Sequence, residues 1–378
     1  MAIYLDHAAT TPMLPAAIDA YARQMAEVGN ASSLHSQGRA VRKSVEESRE
    51  LIARAAGCDA SEIIFTASGT EANNLAIKGF SWSNPSKKTI VISSIEHHAV
   101  MDPAQWLAEH EGAIVIDAPV TQQGVIDLEE LKKIVDAHRD EIAVIAVMHS
   151  NNEVGTIQPI DEVVAIAAGI PVHTDAVQSF GKVVFDFKGL GATSATVSAH
   201  KLGGPLGVAA LILKRGLDIT PLLHGGGQER DIRSSTLNAP GIVAFATAVD
   251  QSLANLRENY FRISELAESL RRGIQGAVPT AIVNGFSEER LPGIVNVTFP
   301  GTKNESLLVL LDIAGISASQ GSACSAGVQR PSHVLLAMGL SEEEADSTVR
   351  FSLGHTSTQR DVDALVSAIA DVVKKATV

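Results

Sequence analysis

Two short stretches decide the fold of this chain: Ser198-Ala199-His200-Lys201-Leu202-Gly203-Gly204 and, upstream, His173-Thr174-Asp175-Ala176-Val177-Gln178. A short apolar, strand-like run precedes each, so Asp175 and Lys201 are expected near the ends of two strands. Ligands of open α/β sheets bind at the carboxyl ends of strands. The glycine pair Gly203-Gly204 lets a backbone approach a ligand closely. The two stretches therefore predict an α/β sheet with a lysine and a carboxylate at one ligand site.

A lysine and a carboxylate at one sheet edge suit pyridoxal phosphate (PLP). The aldehyde of PLP needs an amine to form a Schiff base, and its ring nitrogen needs a carboxylate to stay protonated. Taken alone, Lys201 would be a solvated surface lysine and Asp175 a residue of a cap or turn. Their shared position after strand-like runs favours the cofactor.

The composition is ordinary for a globular protein, since 45% of the 378 residues are hydrophobic and 19% are charged. A formal net charge of −13 argues against direct nucleic-acid binding, which relies on Lys and Arg. We find no apolar stretch of membrane-spanning length and no signal-peptide pattern at the N-terminus. Two cysteines, Cys58 and Cys324, without a C-x-x-C pattern predict neither a disulfide framework nor a metal site. The simplest compartment is a reducing cytoplasm.

Strand-like runs alternate with helical patterns from about residue 60 to residue 215. Continuous apolar strands with helical crossovers predict a mostly parallel sheet that is covered on both faces. The apolar runs are residues 62–65, 89–92, 113–116, 142–148, 171–173, 195–197 and 208–213. The helical patterns cover residues 39–56, 71–79, 99–111, 128–137, 160–168 and 359–376.

The alternation of strand-like and helical patterns ends by residue 241. A long helical stretch over 242–275 then leads into separate strand and helix signals. We therefore expect two domains. The large domain, residues 15–245, would hold the mostly parallel sheet. Residues 1–14 with 246–378 would form a smaller α+β domain, which carries a small-residue loop at about 317–330.

The segment around Ser68-Gly69-Thr70-Glu71 lies between a strand signal and a helix signal. Gly69 and Thr70 would open the helix, where free backbone N–H groups and the helix dipole favour a phosphate. Ser68 and Glu71 also have the spacing of a capping box, which needs no ligand. The position at the same predicted sheet edge favours the phosphate.

Three other polar residues have both a functional and a structural interpretation. His97, after a strand signal, could stack on a flat cofactor ring or be an ordinary loop histidine. Asn152 could donate to a cofactor or substrate oxygen, or serve a turn. Arg350 lies in a strand-like run, where burial would require an anion such as a substrate carboxylate; the alternative is a solvated arginine on an edge strand.

Cys324 lies in the small-residue loop Ala318-Ser319-Gln320-Gly321-Ser322-Ala323-Cys324-Ser325-Ala326-Gly327. A cysteine in such a loop is exposed and can move, which suits a reactive nucleophile. Cys58 instead follows an apolar run and is expected to be structural.

Taken together, these segments resemble the cysteine desulfurases of the NifS/IscS-like group, which are fold-type I PLP enzymes of the class V aminotransferase superfamily. The resemblance covers nearly the whole chain, and the cysteine loop resembles the long, mobile form. The motifs are Tyr4-Leu5-Asp6-His7-Ala8-Ala9-Thr10-Thr11-Pro12, Gly29-Asn30-Ala31-Ser32-Ser33-Leu34-His35, Ser68-Gly69-Thr70-Glu71, Glu96-His97, Asn151-Asn152-Glu153-Val154-Gly155, Thr174-Asp175-Ala176-Val177-Gln178, Ser198-Ala199-His200-Lys201, Arg233-Ser234-Ser235-Thr236 and Gly321-Ser322-Ala323-Cys324.

The resemblance implies a role for each site residue. Lys201 would bind PLP and remove the substrate's Cα proton, Asp175 would pair with the ring nitrogen, and His97 would stack on the ring. The other residues implied to contact PLP are Gln178, Gly69, Thr70, Asn152, Ser198, His200 and, from the neighbouring subunit of a homodimer, Thr236. The residues implied to position the L-cysteine carboxylate are Asn30, Asn152 and Arg350.

The implied activity converts L-cysteine to L-alanine and leaves a persulfide on Cys324 for a sulfur-acceptor protein, such as an iron–sulfur scaffold or a thiolation enzyme. Selenocysteine lyase and another fold-type I aminotransferase-like enzyme are the alternative activities, and a non-enzymatic sulfur carrier is the alternative class. The acceptor stays open because Gln320 and Leu206 depart from the usual family residues. The chain also ends soon after its last helix, where some relatives have a longer docking tail.

Overall fold

Strands and helices alternate through the computed structural model, which describes residues 3–285, 289–321 and 331–377. The strands are β1 (Ile3–Tyr4), β2 (Ile63–Thr66), β3 (Thr89–Ser93), β4 (Ile114–Ala118), β5 (Ile142–Ala146), β6 (Val172–Asp175), β7 (Ser194–Ser198), β8 (Ala209–Leu213), β9 (Ile282–Asn284), β10 (Ile294–Thr298), β11 (Ile316–Ser317) and β12 (Thr348–Ser352).

The helices of the described residues include one near each predicted helical pattern. They are α1 (Pro15–Met25), α2 (Ser36–Ala56), α3 (Gly69–Ser83), α4 (His98–Glu111), α5 (Leu128–His138), α6 (Ile160–Ala167), α7 (Phe187–Leu190), α8 (Ala239–Ala254), α9 (Leu256–Ala277), α10 (Asn304–Ile313), α11 (His333–Ala337), α12 (Glu342–Asp346) and α13 (Gln359–Ala376). Local chemistry sets several ends. Gly57 ends α2 in the left-handed conformation, at φ 67°, and a capping box of Thr358 and Asp361 begins α13. Among the helices described, none has the length and apolar character of a membrane span.

The central sheet has seven strands in the order β2-β8-β7-β6-β5-β3-β4. Strand β8 runs antiparallel to its neighbours β2 and β7, and the other neighbouring pairs are parallel. Each of the seven predicted apolar runs forms one of these strands. The expected α/β fold with a mostly parallel seven-stranded sheet is therefore confirmed.

Helices cover both faces of this sheet. Successive residues of β5 point to opposite faces, so Val144 packs beneath α3 and α4 and Ile145 packs with the helices on the other side. This two-sided burial explains why the strands are continuously apolar rather than alternating.

A second cluster of buried side chains forms around β10 and β12, and it includes Leu270, Phe299 and Phe351. Strands β12-β10-β9 make an antiparallel sheet, whereas β1 pairs in parallel with β11. The N-terminal strand therefore packs with the C-terminal part of the chain.

The helical stretch predicted over 242–275 is divided into α8 and α9 at Asn255, which ends the first helix. Helix α8 packs against α1 and α2, and its buried residues through Val249 belong to the core of the large sheet. The predicted boundary at residue 245 therefore falls inside a helix, and the domain limits remain a prediction.

Candidate active site

The carboxyl ends of several strands meet at one edge of the central sheet. Asp175 ends β6 and Ser198 ends β7. Thr66, the last residue of β2, and Ser198 both pair with Ala209 of β8, so these two strand ends lie at the same level. A cavity, which we call the strand-end cavity, opens at this edge. The predicted site residues that line it are Gly69, Thr70, His97, Asn152, Asp175, Gln178, Ser198, His200, Lys201 and Arg350.

Lys201 follows β7 in a short 3₁₀ turn, Ala199–Lys201. Its ammonium donates to the backbone carbonyls of Ala8 and Ala9, with N···O distances of 2.6 and 2.7 Å. The N-terminal segment thus holds the amine of Lys201 inside the strand-end cavity. Sequence reasoning missed these two contacts, because a backbone carbonyl leaves no side-chain signal.

Gly203 and Gly204 have a different role from the one predicted. A Cβ atom on Gly203 (φ 92°) would lie 2.7 Å from Leu14, and one on Gly204 would lie 2.8 Å from the Cβ of Ala199. The expectation that this pair admits a ligand was therefore wrong. The glycines instead allow the chain to turn tightly after Lys201 and to pack against α1.

Asp175 is buried and fixed by two donors. Its Oδ2 accepts from Nδ2 of Asn73 at 2.6 Å, and its Oδ1 accepts from the backbone N–H of Val177 at 2.9 Å. Sequence reasoning did not select Asn73, whose only signal is a polar side chain on the buried face of α3.

His97 is the N-cap of α4, and its Nδ1 accepts from the backbone N–H of Ala99 at 3.0 Å. Burial is the main cause that lowers the pKa of His97, and the charge of Lys201 lowers it further, while Asp175 opposes both. The imidazole is therefore neutral with its proton on Nε2. The capping bond fixes the direction of the ring, and the stacking of His97 on a cofactor ring stays a prediction.

The N-terminus of α3 carries the predicted side-chain cap. Ser68 Oγ accepts from the N–H of Glu71, and the Glu71 carboxylate accepts from the N–H of Ala67. This cap uses neither the amide of Gly69 nor that of Thr70. A Cβ on Gly69 would lie 3.1 Å from Val177, so glycine brings the helix N-terminus close to the strand ends. Such an N-terminus favours a phosphate.

Arg350 lies on β12 and is only 2% exposed, so the solvated-arginine interpretation is wrong. Its Nη2 donates to the carboxylate of Asp6 at 2.8 Å, and its Nη1 donates to the backbone carbonyl of Asn152 at 2.9 Å. The anion that burial requires is therefore part of the protein. Nε is buried without a hydrogen-bond partner among the described residues, so the described residues do not use all the donors of this guanidinium.

Three predicted residues lie elsewhere. Asn30 is exposed and uses its side-chain oxygen to accept from the N–H of Ser32. Thr236 is also exposed, and neither residue lines the strand-end cavity of its own chain. Cys324 lies outside the described residues, although the loop that carries it follows Gly321, which lines the cavity.

The chain is similar to known proteins in both sequence and structure. The model of the family "Aminotransferase class-V" matches residues 3–365. The chain belongs to this family. The predicted family, fold type and PLP-dependent chemistry are therefore confirmed for this class-V protein.

Three relatives place it more narrowly. An IscS-like cysteine desulfurase of Mycobacterium tuberculosis is 47% identical over 99% of this chain and 96% of its own length. A solved structure described as a NifS-like protein aligns with a TM-score of 0.92 at 34% identity, over 99% of this chain and 100% of its own. A structure of SspA in complex with cysteine aligns with a TM-score of 0.80 at 32% identity, over 93% of this chain and 98% of its own. The class-V chain is thus a member of the IscS/NifS cysteine desulfurase group.

The residues of the strand-end cavity fit PLP. Lys201 offers an amine, Asp175 offers a buried carboxylate that accepts from two N–H donors, and His97 offers a flat neutral ring. The N-terminus of α3, tightened by Gly69, supplies amides for the phosphate.

Proposed function

We propose that the protein is a cysteine desulfurase that takes sulfur from L-cysteine, releases L-alanine and holds the sulfur as a persulfide on Cys324. The observation that carries this proposal is the convergence of Lys201, Asp175 and Arg350 in one cavity. The chemistry needs an amine, a carboxylate for the ring nitrogen and a cation for the substrate carboxylate. The predicted activity agrees with the names of the relatives.

The residues of the strand-end cavity and Cys324 have separate roles in this reaction. PLP, when bound, supplies an electron sink for the substrate's Cα. Lys201 accepts the Cα proton, while Asp175 keeps the positive charge next to the ring nitrogen. Arg350 and Asn152 orient the substrate carboxylate. The Cys324 thiolate then attacks the substrate sulfur, so that an S–S bond forms and the C–S bond breaks. The electron pair left on Cβ takes up a proton, and Lys201 returns its proton to Cα, which gives alanine.

The properties of Cys58 support the choice of Cys324. Burial raises the pKa of Cys58 to about 12, with the charge of Glu62 as the next contribution. The thiol packs against the core of the large sheet and does not line the strand-end cavity. A buried thiol of high pKa is a poor nucleophile.

The finer parts of the proposal concern assembly and delivery. We include a homodimer in which Thr236 reaches the phosphate of the neighbouring subunit, because its exposed position leaves it free to do so. We also include a cytoplasmic location and an acceptor protein that takes the persulfide for iron–sulfur assembly or thiolation. Equilibrium sedimentation tests the dimer, since a fully active monomer would contradict it.

The test compares Cys324→Ala with the matched control Cys58→Ala. We expect both variants to bind PLP, but only Cys58→Ala to release alanine and sulfide from L-cysteine with a thiol reductant. Mass spectrometry of the wild type should find added sulfur on the Cys324 peptide. Full desulfurase activity in Cys324→Ala, or a persulfide confined to Cys58, would overturn the proposal. Borohydride should fix PLP to the Lys201 peptide, and Lys201→Ala should abolish this product.

A further inference from the structure

Lys182 begins a chain of hydrogen bonds that leads to Lys201. Its Nζ donates to Oε1 of Gln178 at 3.2 Å. Nε2 of Gln178 donates to the carbonyl of Ala8 at 2.9 Å, and the same carbonyl accepts from Nζ of Lys201 at 2.6 Å. The two lysines are therefore connected through one side-chain amide and one backbone carbonyl.

The chemistry of the end groups fixes the orientation of the Gln178 amide. A lysine ammonium can only donate, and a backbone carbonyl can only accept. The oxygen of Gln178 must therefore face Lys182, and its nitrogen must face Ala8. The turn that carries Lys182 is itself fixed, because its backbone N–H donates to the carbonyl of Ser179 at 2.9 Å.

Lys182 has no carboxylate within ion-pair distance among the described residues. It lines a second cavity, which we call the junction cavity, together with His7, Thr11, Tyr260 and His355. Burial, with smaller contributions from the positive charges of Lys201 and Arg350, lowers the pKa of Lys182 to about 7. A partly buried lysine without an ion-pair partner in the described part of the chain, hydrogen-bonded to a predicted active-site residue, is a candidate for a functional role.

We propose that Lys182 is a positioning residue of the active site, which holds the Gln178 amide with its N–H directed toward the strand-end cavity and toward the carbonyl that binds Lys201. This inference deepens the proposed function and rests on it. Gln178 lines the strand-end cavity, so a rotated amide would present an oxygen where an anionic cofactor needs a donor. Lys182 itself contacts neither substrate nor cofactor in this role.

The test uses four forms of the protein: the wild type, Lys182→Met, Gln178→Leu and the double variant. Methionine keeps most of the length of lysine and removes both its charge and its donors. PLP affinity is measured by titrating the apoprotein, and Cα exchange of L-alanine in D₂O is followed by NMR. Lys188→Met serves as the control, because Lys188 is exposed and bonds Asp59 at the surface.

We expect Lys182→Met to bind PLP about tenfold more weakly, which is the usual size of one lost charge-assisted hydrogen bond. Its maximal exchange rate should fall more than its KM rises, and Lys182→Arg, which keeps the donors, should recover most of the loss. In the Gln178→Leu background, Lys182→Met should change PLP affinity by less than about twofold, because no amide remains to be positioned. If Lys182→Met does not fold, Lys182→Gln takes its place with the same expectation.

Two outcomes would overturn this inference. Unchanged PLP affinity in Lys182→Met would show that Lys182 does not position the Gln178 amide. An equal loss in the presence and absence of Gln178 would show that Lys182 acts through its charge alone. Failure of the proposed function is distinguishable, since it would show as a wild type that binds PLP and exchanges the Cα proton of alanine but releases no sulfide from cysteine.

Discussion

His173 and Asn73 are joined by a buried hydrogen bond of 3.0 Å between Nε2 and Oδ1. Because Asn73 donates its amide to Asp175, its oxygen must accept, and His173 must therefore carry its proton on Nε2. The other ring nitrogen, Nδ1, accepts from the hydroxyl of Ser194 at 2.8 Å. Burial lowers the pKa of His173 to about 3, so the ring is neutral. The hydrogen bonds thus run in one direction, from Ser194 to the carboxylate of Asp175.

Removing the middle of this chain should destabilise the protein. Asn73→Ala leaves the Nε2–H of His173 and the Oδ2 of Asp175 without a partner, and each unsatisfied buried group costs about 1–3 kcal/mol. We expect the free energy of unfolding in urea to fall by at least about 2 kcal/mol. The neighbouring Asn74→Ala, which loses only a bond to a backbone carbonyl in its own helix, is the matched control. Equal stability of the two variants would show that the hydrogen bonds of Asn73 do not contribute to the free energy of unfolding.

Asp175→Asn should preserve the fold and impair proton removal. Two N–H donors point at this carboxylate, whereas an amide has one oxygen and would direct its own N–H₂ at one of them. The substitution Asp175→Asn also removes the negative charge that the ring nitrogen of PLP requires. We expect Cα deuterium exchange of L-alanine to slow on the order of 100-fold. Exchange near the wild-type rate, with PLP bound, would contradict the role of Asp175; the exposed Asp161→Asn is the control.

The sequence predicted the structure best where the pattern within a single strand or helix determines it. Seven apolar runs predicted seven strands, because burial on both faces demands continuous apolar side chains. Lys201 and Asp175 followed from their positions at strand ends, because parallel strands bring those ends to one edge.

What the sequence did not predict depends on contacts between distant segments. Ala8 and Lys201 are 193 residues apart, and Asn73 and Asp175 are 102 residues apart, so no local pattern joins them. The glycines after Lys201 show the same limit. Their composition predicts a close approach, but only the packed structure shows that the approaching group is Leu14.

Acid should destabilise the protein through its buried histidines. Burial is the main cause that lowers the pKa of His7 and His173 to about 3 and that of His149 and His200 to about 4, against 6.5 for a free imidazole. The unfolded chain therefore binds these protons first as the pH falls. Stability should be constant with respect to these groups above about pH 7, and it should fall from about pH 6.5 to about pH 3.

The variant His149→Phe isolates one of these protons. His149 lies edge-on to Phe185, and the change removes its titration without adding a charge. We expect the loss of unfolding free energy between pH 7.5 and 5.0 to be about 2 kcal/mol smaller than in the wild type. Urea unfolding at the two pH values provides the measurement, with the surface variant His138→Gln as the control. An unchanged pH dependence in His149→Phe would refute this account of acid sensitivity.

Arg350→Lys should weaken substrate binding more than it slows the chemistry. Asp6 and the carbonyl of Asn152 each accept one hydrogen bond from the guanidinium, and Arg350 lines the strand-end cavity. A lysine carries the charge but cannot reproduce the planar fork that binds a carboxylate. We expect the KM for L-cysteine to rise about 10- to 100-fold, with kcat changed only a few-fold. Arg262→Lys is a matched control, because Arg262 also donates its fork to two carbonyls, those of Ser357 and His355, but does not line this cavity. If Arg350→Lys lowers stability and leaves KM unchanged, the arginine only joins β12 to the N-terminal segment.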